Sequence, residues 1–189
     1  TGYKVLSSAN LPDPTILLPN KHFDTLLYTG NGTTGQSITG LEFKPDLIWI
    51  KSRSFGNNSH LFDSVRGVNK ILRSSTDDDE DTISGVMSSF NHGGFTVQEA
   101  SGNNATNDDS STFVAWCWKG GGAAVANTDG TLNSQVSVNE EAGFSIVSWT
   151  STGTTGSTIG HGLGKKPDWI ILKGRNTSEA QPWRTYHTS

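Results

Sequence analysis

An internal duplication is the feature of this sequence that most constrains its fold. Segment 28–38 reads YTGNGTTGQSI, and segment 149–159 reads WTSTGTTGSTI. After one inserted residue the match continues between 40–54 (GLEFKPDLIWIKSRS) and 162–176 (GLGKKPDWIILKGRN). When 28–39 is paired with 149–160 and 40–54 with 162–176, 14 of 27 residues are identical. The spacing of about 121 residues far exceeds the ~20–50 residues of solenoid and propeller repeats, so the repeated unit is a whole domain.

The duplication divides the chain into four segments. We expect an extended lead-in over 1–22, a first complete unit over 23–122, a linker over 123–142 and a partial second copy over 143–189. The linker is polar and should hold one strand, Ser134 to Val138. Half of a domain exposes an unpaired sheet edge and an open apolar face. The sequence therefore predicts a piece of a larger assembly, in which either the natural chain is longer or another subunit completes the second copy.

Short blocks of β-branched and aromatic residues predict an all-β fold. Each block is bounded by Gly, Asn, Asp, Pro or Ser, which is typical of strands. The blocks are 25–29, 46–51, 113–118, 144–149 and 169–173. Gly, Ser, Thr and Asn make up 81 of the 189 residues, a composition that argues against helical bundles. We predict an antiparallel β-sandwich of jelly-roll or lectin-like type, with one full unit followed by a partial copy.

Only one segment carries a helical spacing. Within 81–90, Ile83, Val86, Met87 and Phe90 follow the i, i+3, i+4, i+7 pattern of an amphipathic helix. A glycine inside the segment weakens that pattern. Both a short helix and an irregular loop remain open here.

The residues on the two faces of a predicted strand indicate which of its faces must be buried. In the strand 112–118, Val114, Trp116 and Trp118 project to one side, and the alternate residues, also apolar, project to the other. An antiparallel strand with one wet face would alternate apolar and polar residues instead. We therefore expect a loop or a neighbouring chain to cover both sides. The candidate assembly interface consists of Trp116, Trp118, Val114 and Trp49.

The strand that follows Pro45 shows the other pattern. Ile48, Ile50 and Ser52 share one face, which we assign to the core. The opposite face should form a partly exposed rim. Its members are Leu47, Trp49, Lys51 and Arg53.

Glycine-rich and nucleophile motifs do not support catalysis. Gly30 to Gly35 matches the G-x-G-x-x-G dinucleotide pattern, but β-like residues follow where the pyrophosphate would need a helix. We interpret this segment as a hairpin loop. The chain has no G-x-S-x-G elbow, and its five histidines show no close pairing. The lone Cys117 excludes an internal disulfide and multi-cysteine zinc sites. The prediction is a protein that is not an enzyme and has no catalytic, cofactor-binding or metal residues.

The acidic run 77–81 is a candidate binding site for one cofactor, calcium. Five consecutive acids could bind calcium, with Asn107, Asp108 and Asp109 as further ligands. The run lacks the spaced carboxylates that wrap one ion, so a solvated loop is the alternative. Five basic residues precede the run and could dock on an acidic neighbour or form a solvated rim; they are Lys51, Arg53, Arg66, Lys70 and Arg73.

Net charge and hydropathy limit the classes of partner that the chain could bind. A net charge of −4 gives no reason to expect nucleic acid, and no apolar run approaches the ~20 residues of a membrane-spanning helix. Exposed tryptophans beside Asn, Asp and Gly loops would suit glycan binding. The alternative is that Trp49, Trp116, Trp118 and Trp149 are core or interface residues.

Several segments resemble a known family. A domain found in bacteriophage virion proteins, including tail-fibre-like and other appendage proteins of marine phages, is similar to NLPDPTI at 10–16, FDTLLYTGNG at 23–32, KPDLIWIKSRS at 44–54, HLFDSVRG at 60–67 and FVAWCWK at 113–119. The second copy's IGHGLG at 159–164, with Pro167 and Trp183, is similar to the follow-on segment of the same proteins. The resemblance implies a virion location and carries over no catalytic or ligand residue.

Together these observations lead to an expected function. We expect a structural component of a phage particle, either a tail fibre, an appendage or a capsid-associated protein. It would bind other virion proteins and copies of itself as a symmetric homo-oligomer such as a trimer, and contact a host surface glycan or receptor. A lectin-like carbohydrate-binding module is the alternative, and a polysaccharide depolymerase ranks third.

Overall fold

A computed structural model describes residues 16, 18–99, 102–176 and 181–188. Most of the lead-in expected over 1–22 therefore lies outside the described residues. The strands are β1 (Phe23–Thr29), β2 (Gln36–Thr39), β3 (Leu47–Ser52), β4 (His60–Asp63), β5 (Lys70–Arg73), β6 (Asp81–Thr82), β7 (Met87–Asn91), β8 (Gly94–Val97), β9 (Thr112–Trp118), β10 (Val125–Asn127), β11 (Ser134–Asn139), β12 (Phe144–Trp149), β13 (Trp169–Leu172) and β14 (Arg184–His187). Two short 3-10 turns, Pro19–Lys21 and Gly102–Asn104, are the helical elements of the described residues.

The first unit is a two-layer antiparallel sandwich. One layer is a six-stranded sheet in the order β1-β9-β3-β4-β5-β6, and the other is a three-stranded sheet in the order β2-β8-β7. Between them lies a core that includes Ile48, Ile50, Phe62, Phe95 and Phe113, each at most 1% exposed. The predicted all-β sandwich is confirmed.

Strand β9 is an interior strand of the larger sheet, next to its edge strand β1. It pairs with β1 on one side, where Tyr28 lies opposite Phe113, and with β3 on the other, where Trp49 lies opposite Trp116. Its core-facing residues Phe113, Ala115 and Cys117 are fully buried, because the smaller sheet covers that face.

The predicted faces of β3 are confirmed. Ile48, Ile50 and Ser52 are buried, whereas Leu47, Trp49 and Lys51 are half-buried. We call the side of the six-stranded sheet that carries Trp49 its outer face.

The second copy forms two small sheets. Strands β10, β11 and β12 form one in that order, and β13 and β14 form an antiparallel hairpin. The predicted linker strand is β11, one residue longer than expected, and β10 lies in the same linker. The repeat equates β12 with β1 and β13 with β3. Register then equates β14 with β4, because Tyr186 lies opposite Ile170 as Phe62 lies opposite Ile48.

Strand β11 takes the position in the second copy that β9 takes in the first. In the first unit, the Lys119 N–H donates to the His22 C=O and extends the β1–β9 ladder. The equivalent of His22 in the second copy is Gly143, whose N–H donates to the Glu140 C=O and extends the β11–β12 ladder. The edge of β1 that faces β9 is therefore equivalent to the edge of β12 that faces β11. Since β11 pairs with β10 on its other side, it does not join β12 to β13.

The structure excludes one alternative that the sequence left open and contradicts one prediction. The segment 81–90 contains no helix: β6 and β7 occupy its ends, and Gly85 lies between them with φ of 81°. Gly30 to Gly35 does not form a hairpin loop, because β1 and β2 belong to different sheets and the loop carries the chain from one layer to the other.

Candidate assembly interface

The first polar contact between the two units is a carboxylate held by two arginines. Arg66 of the first unit donates from Nη1 to Oε2 of Glu80 at 3.1 Å. Arg175 of the second unit donates from Nε to Oε2 and from Nη2 to Oε1 of Glu80, each at 2.9 Å. The backbone N–H of Glu80 also donates to the Arg175 C=O at 2.9 Å. We call Glu80, Arg66 and Arg175 the carboxylate clamp.

Burial makes the carboxylate clamp energetically important. The side chains of Glu80 and Arg66 are only 7% and 5% exposed. Burial by itself would raise the pKa of Glu80, but hydrogen bonds from Arg175 and Arg66 outweigh it and hold that pKa below its usual value. Glu80 is therefore ionised at neutral pH. Asp63 accepts a hydrogen bond from Arg66 Nε and balances the second cation.

An aromatic contact joins the units at a second point. The Trp118 ring stacks on Phe144 of the second copy, with ring centroids 6.3 Å apart and an interplanar angle of 21°. Trp118 also packs against Phe23 of its own unit at 4.9 Å. Phe23 and Phe144 are equivalent in the repeat, so one indole contacts the same phenylalanine of both copies.

A glycine-rich junction makes a third contact. Asp46 is buried, and its Oδ2 accepts the N–H groups of Gly120 at 2.9 Å and Gly122 at 3.2 Å. Ser137 of β11 accepts the Gly121 N–H through its Oγ at 2.9 Å and donates to the Gly122 C=O. A Cβ on Gly120 would lie 2.7 Å from the Ser137 Oγ, so this approach of β11 requires glycine.

The tail of the second copy adds two anchors. Trp183 donates from Nε1 to the Arg73 C=O at 2.8 Å. Lys173 donates from Nζ to the Asp77 C=O at 2.9 Å. The contact area between the copies therefore extends from Trp118 across the loop that holds the acidic run.

The four residues proposed from sequence for assembly share the outer face of the sheet. Trp118 contacts the second copy directly. Trp49 and Trp116 form a tilted pair with ring centroids 5.4 Å apart, and Val114 lies on the same face. All four are half-buried, and Leu27 beside them is 64% exposed. The second copy thus covers the outer face only in part.

Three of the five basic residues before the acidic run pair with it, namely Arg66, Lys70 and Arg73. Arg73 lies within 2.6 Å of an Asp81 carboxylate oxygen and 4.0 Å of one from Asp78. Glu80 belongs to the carboxylate clamp. Within the described residues, no group of three or more His, Cys, Asp or Glu side chains could hold a metal ion. Arg66 and Arg73 are not a solvated rim, because their side chains are 5% and 8% exposed.

Two buried titratable side chains lie away from the interface. Burial, reinforced by the nearby Arg73 cation, lowers the pKa of His60 to about 4 despite hydrogen bonds with Asn104 and the Asn103 backbone. Burial raises the pKa of Cys117 to about 12, with a further contribution from Asp24. The Cys117 side chain therefore stays protonated as an unreactive thiol at neutral pH.

An open groove lies at the far end of the β11–β12 sheet. Its volume is about 470 Å³, and Trp149 lines it together with the Gln135 amide. The remaining lining residues are mostly hydroxyl and amide side chains: Thr131, Leu132, Asn133, Ser134, Ser148, Thr150 and Thr152.

The carboxylate clamp is the functional feature that the sequence did not predict. Arg175 recurs in the repeat as Arg53, which was a usable signal, but Glu80 lies 95 positions away in a run of five acids. No pattern in the chain distinguishes Glu80 from its neighbours.

Fold and interface define an all-β protein in which one sandwich unit and a partial second copy of it contact each other through a buried ion cluster and stacked aromatic rings. Within the described residues, no helix is long and apolar enough to cross a membrane. A family model described as "Domain of unknown function (DUF7483)" matches residues 18–189, and the chain belongs to this family. Searches of curated proteins and of solved structures each found no match.

Proposed function

We propose that this protein is a structural component of a phage particle, a tail fibre, appendage or capsid-associated protein that acts by association with other proteins. The observation that supports association most directly is the carboxylate clamp together with the Trp118–Phe144 stack. These contacts join two copies of one unit through charge pairing and aromatic packing, which are also the means by which separate subunits associate.

The outer face supports the same proposal. Trp49, Trp116 and Val114 lie there half-buried, and Leu27 is 64% exposed. Aromatic residues are enriched in the cores of protein interfaces. The virion location itself rests on the resemblance of the repeat and strand motifs to phage appendage domains.

Mass and symmetry of the purified protein test the proposal. Mass photometry and light scattering should show a defined homo-oligomer, with a trimer as the expected state. A charge on the outer face, Trp116→Glu, should shift it to monomer, whereas Ser37→Glu, at an exposed position on β2 in the other sheet, should leave it intact. Mass spectrometry of purified phage particles should detect the chain. A protein that stays monomeric at all concentrations and is missing from the particles would refute the proposal.

Glycan binding is the second candidate, and the Trp149 groove favours it. An aromatic ring beside amide and hydroxyl groups provides the stacking and hydrogen bonding that a sugar ring needs. On a glycan panel this function predicts saturable binding that Trp149→Ala abolishes. Binding that Trp149→Ala leaves unchanged, or no binding to the panel, counts against it.

A further inference from the structure

The outer edge of β13 has no partner strand in the part of the chain that the structure describes. Strand β13 pairs with β14 only. The Thr188 N–H donates to the Asp168 C=O, as the Ser64 N–H donates to the Asp46 C=O in the first unit. Strand β14 therefore occupies the edge of β13 that β4 occupies on β3. The opposite edge of β13 is the one at which β3 binds β9.

Backbone alternation identifies the groups at this open edge. In the first unit the Arg53 N–H donates to the Thr112 C=O, which extends the β3–β9 ladder. Residues at alternate positions, such as Leu47 and Trp49, direct their backbone N–H and C=O groups to the same side. By equivalence in the repeat, Trp169 and Ile171 direct theirs to the open edge of β13.

The apolar side chains of β13 and β14 are more exposed than those at the equivalent positions of β3 and β4. Trp169 is 63% exposed, Ile171 48%, Leu172 40% and Tyr186 50%. A strand with unpaired backbone groups and exposed apolar side chains is a template for strand addition. Strand β11 pairs with β12 and β10 and leaves this edge open.

The first unit shows which chemistry fits. Strand β3 and strand β13 follow the same Lys-Pro-Asp sequence and share a Leu/Ile/Trp composition. The strand that binds the equivalent edge of β3 is β9. Its Phe113, Ala115 and Cys117 face the core, and the alternate residues, one valine and two tryptophans, face outward. A complementary partner for β13 is thus an extended segment with the same alternation.

We propose that the open edge of β13 binds an extended strand of another polypeptide by antiparallel β-addition. That strand alternates small or aromatic apolar residues with tryptophan or other bulky residues, as β9 does. This inference rests on the proposed assembly function and identifies one of its contact points. It concerns one edge, so its failure would leave oligomerisation through the outer face standing.

A peptide of the β9 sequence, residues 111–120 with Cys117→Ser, tests the proposal directly. Fluorescence anisotropy with the labelled peptide should show saturable binding to the full chain. Hydrogen exchange should show new protection of the backbone within Trp169–Leu172. A peptide of the same composition without the alternation should bind at least ~10-fold more weakly, since misplaced side chains cannot pack on the same face.

Two substitutions at one position separate edge pairing from general packing. Ile171→Pro removes an N–H that faces the open edge and leaves the β13–β14 ladder intact, so affinity should fall at least ~10-fold. Ile171→Thr keeps both the N–H and a β-branched side chain and should change affinity less than ~3-fold. Retained β14 protection in the free Ile171→Pro protein verifies that the hairpin still forms.

Four results would overturn the proposal. One is the lack of peptide binding to the unmodified chain. Another is protection that maps to β11 and β12 instead of β13. The third is equal affinity of Ile171→Pro and Ile171→Thr. A protein that dimerises without peptide and protects β13 on dimerisation would also overturn it, because a second copy would then occupy the edge.

Discussion

The two copies of the repeat use nearly the same residues in different environments. Ile50 is 1% exposed, whereas its equivalent Leu172 is 40% exposed. Asp46 is buried and holds the glycine junction, whereas its equivalent Asp168 is exposed and accepts a hydrogen bond from the Thr188 hydroxyl. A strand of this sequence is therefore buried only where β9 and a second sheet enclose it.

The difference also shows what a repeat conserves. Arg53 is exposed, and Arg175 at the equivalent position binds Glu80 of the neighbouring unit. The two arginines share a position in the repeat, but only Arg175 binds Glu80. Matched substitutions at equivalent positions therefore measure the contribution of context with little change in chemistry.

The largest expected difference is between Phe62 of the first unit and Tyr186, which occupies the equivalent position in the second copy. Phe62 is 0% exposed, so Phe62→Ala should lower the free energy of unfolding by about 3–5 kcal/mol, from lost burial and a residual cavity. Tyr186 is 50% exposed, and Tyr186→Ala should cost less than about 1 kcal/mol. Chemical denaturation measures both. Similar losses would mean that the second hairpin is enclosed as the first is.

The next largest effect concerns the carboxylate clamp. Glu80→Gln leaves two cations without their shared anion and should cost about 2–4 kcal/mol. Arg175→Ala should cost about 1–2 kcal/mol, because Arg175 is 35% exposed and partly screened. The repeat supplies the control, since Arg53→Ala should change stability by less than about 0.5 kcal/mol. A double-mutant cycle with no coupling between Glu80 and Arg175 would contradict the assignment.

Acid should destabilise the first unit through His60. Its pKa is about 4 in the folded chain, below the ordinary ~6.5 of an unfolded histidine. The folded state binds fewer protons, so stability is full above ~6.5 and falls by up to about 3 kcal/mol as the pH drops towards 4. His60→Gln should flatten this part of the pH–stability curve. A curve unchanged by His60→Gln would exclude this cause.

The smallest effect concerns the loop between the first two strands. A Cβ at Gly30 would collide with the Asp108 carbonyl oxygen and lie 2.8 Å from the Asn107 carbonyl carbon. Gly30→Ala should therefore cost about 1–2 kcal/mol through a forced backbone shift. The equivalent Ser151 is exposed, and Ser151→Ala should be nearly neutral. Thermal unfolding distinguishes the two, and equal shifts in Tm would show that the loop does not depend on this approach.

Strand positions and faces were predictable because they depend on local alternation. The burial of Ile48 and Ile50 and the half-burial of Trp49 follow from a period of two. The segment around Met87 was not predictable in this way. Val86 and Met87 are both buried next to the turn at Gly85, and a register shift follows between Met87 and Ser89, so their spacing mimics a helix.

Interface partners were not predictable, since they depend on packing between segments distant in sequence. The role of Glu80 requires Arg66 and Arg175 to converge on it, and the role of Trp118 requires Phe144 to lie beside it. The sequence also could not predict that β11 occupies, beside β12, the position that β9 occupies beside β1, because the two strands have no sequence resemblance.

The placement of β11 has a consequence for how the chain folds. Strand β1 must find β9 across more than eighty intervening residues, whereas β11 meets β12 through a tight turn. Loop-closure entropy makes the first encounter slow and the second fast. The β11–β12 ribbon should accordingly be in place while the long-range ladder of the first sandwich is still forming, which gives the chain a kinetic order opposite to its order in sequence.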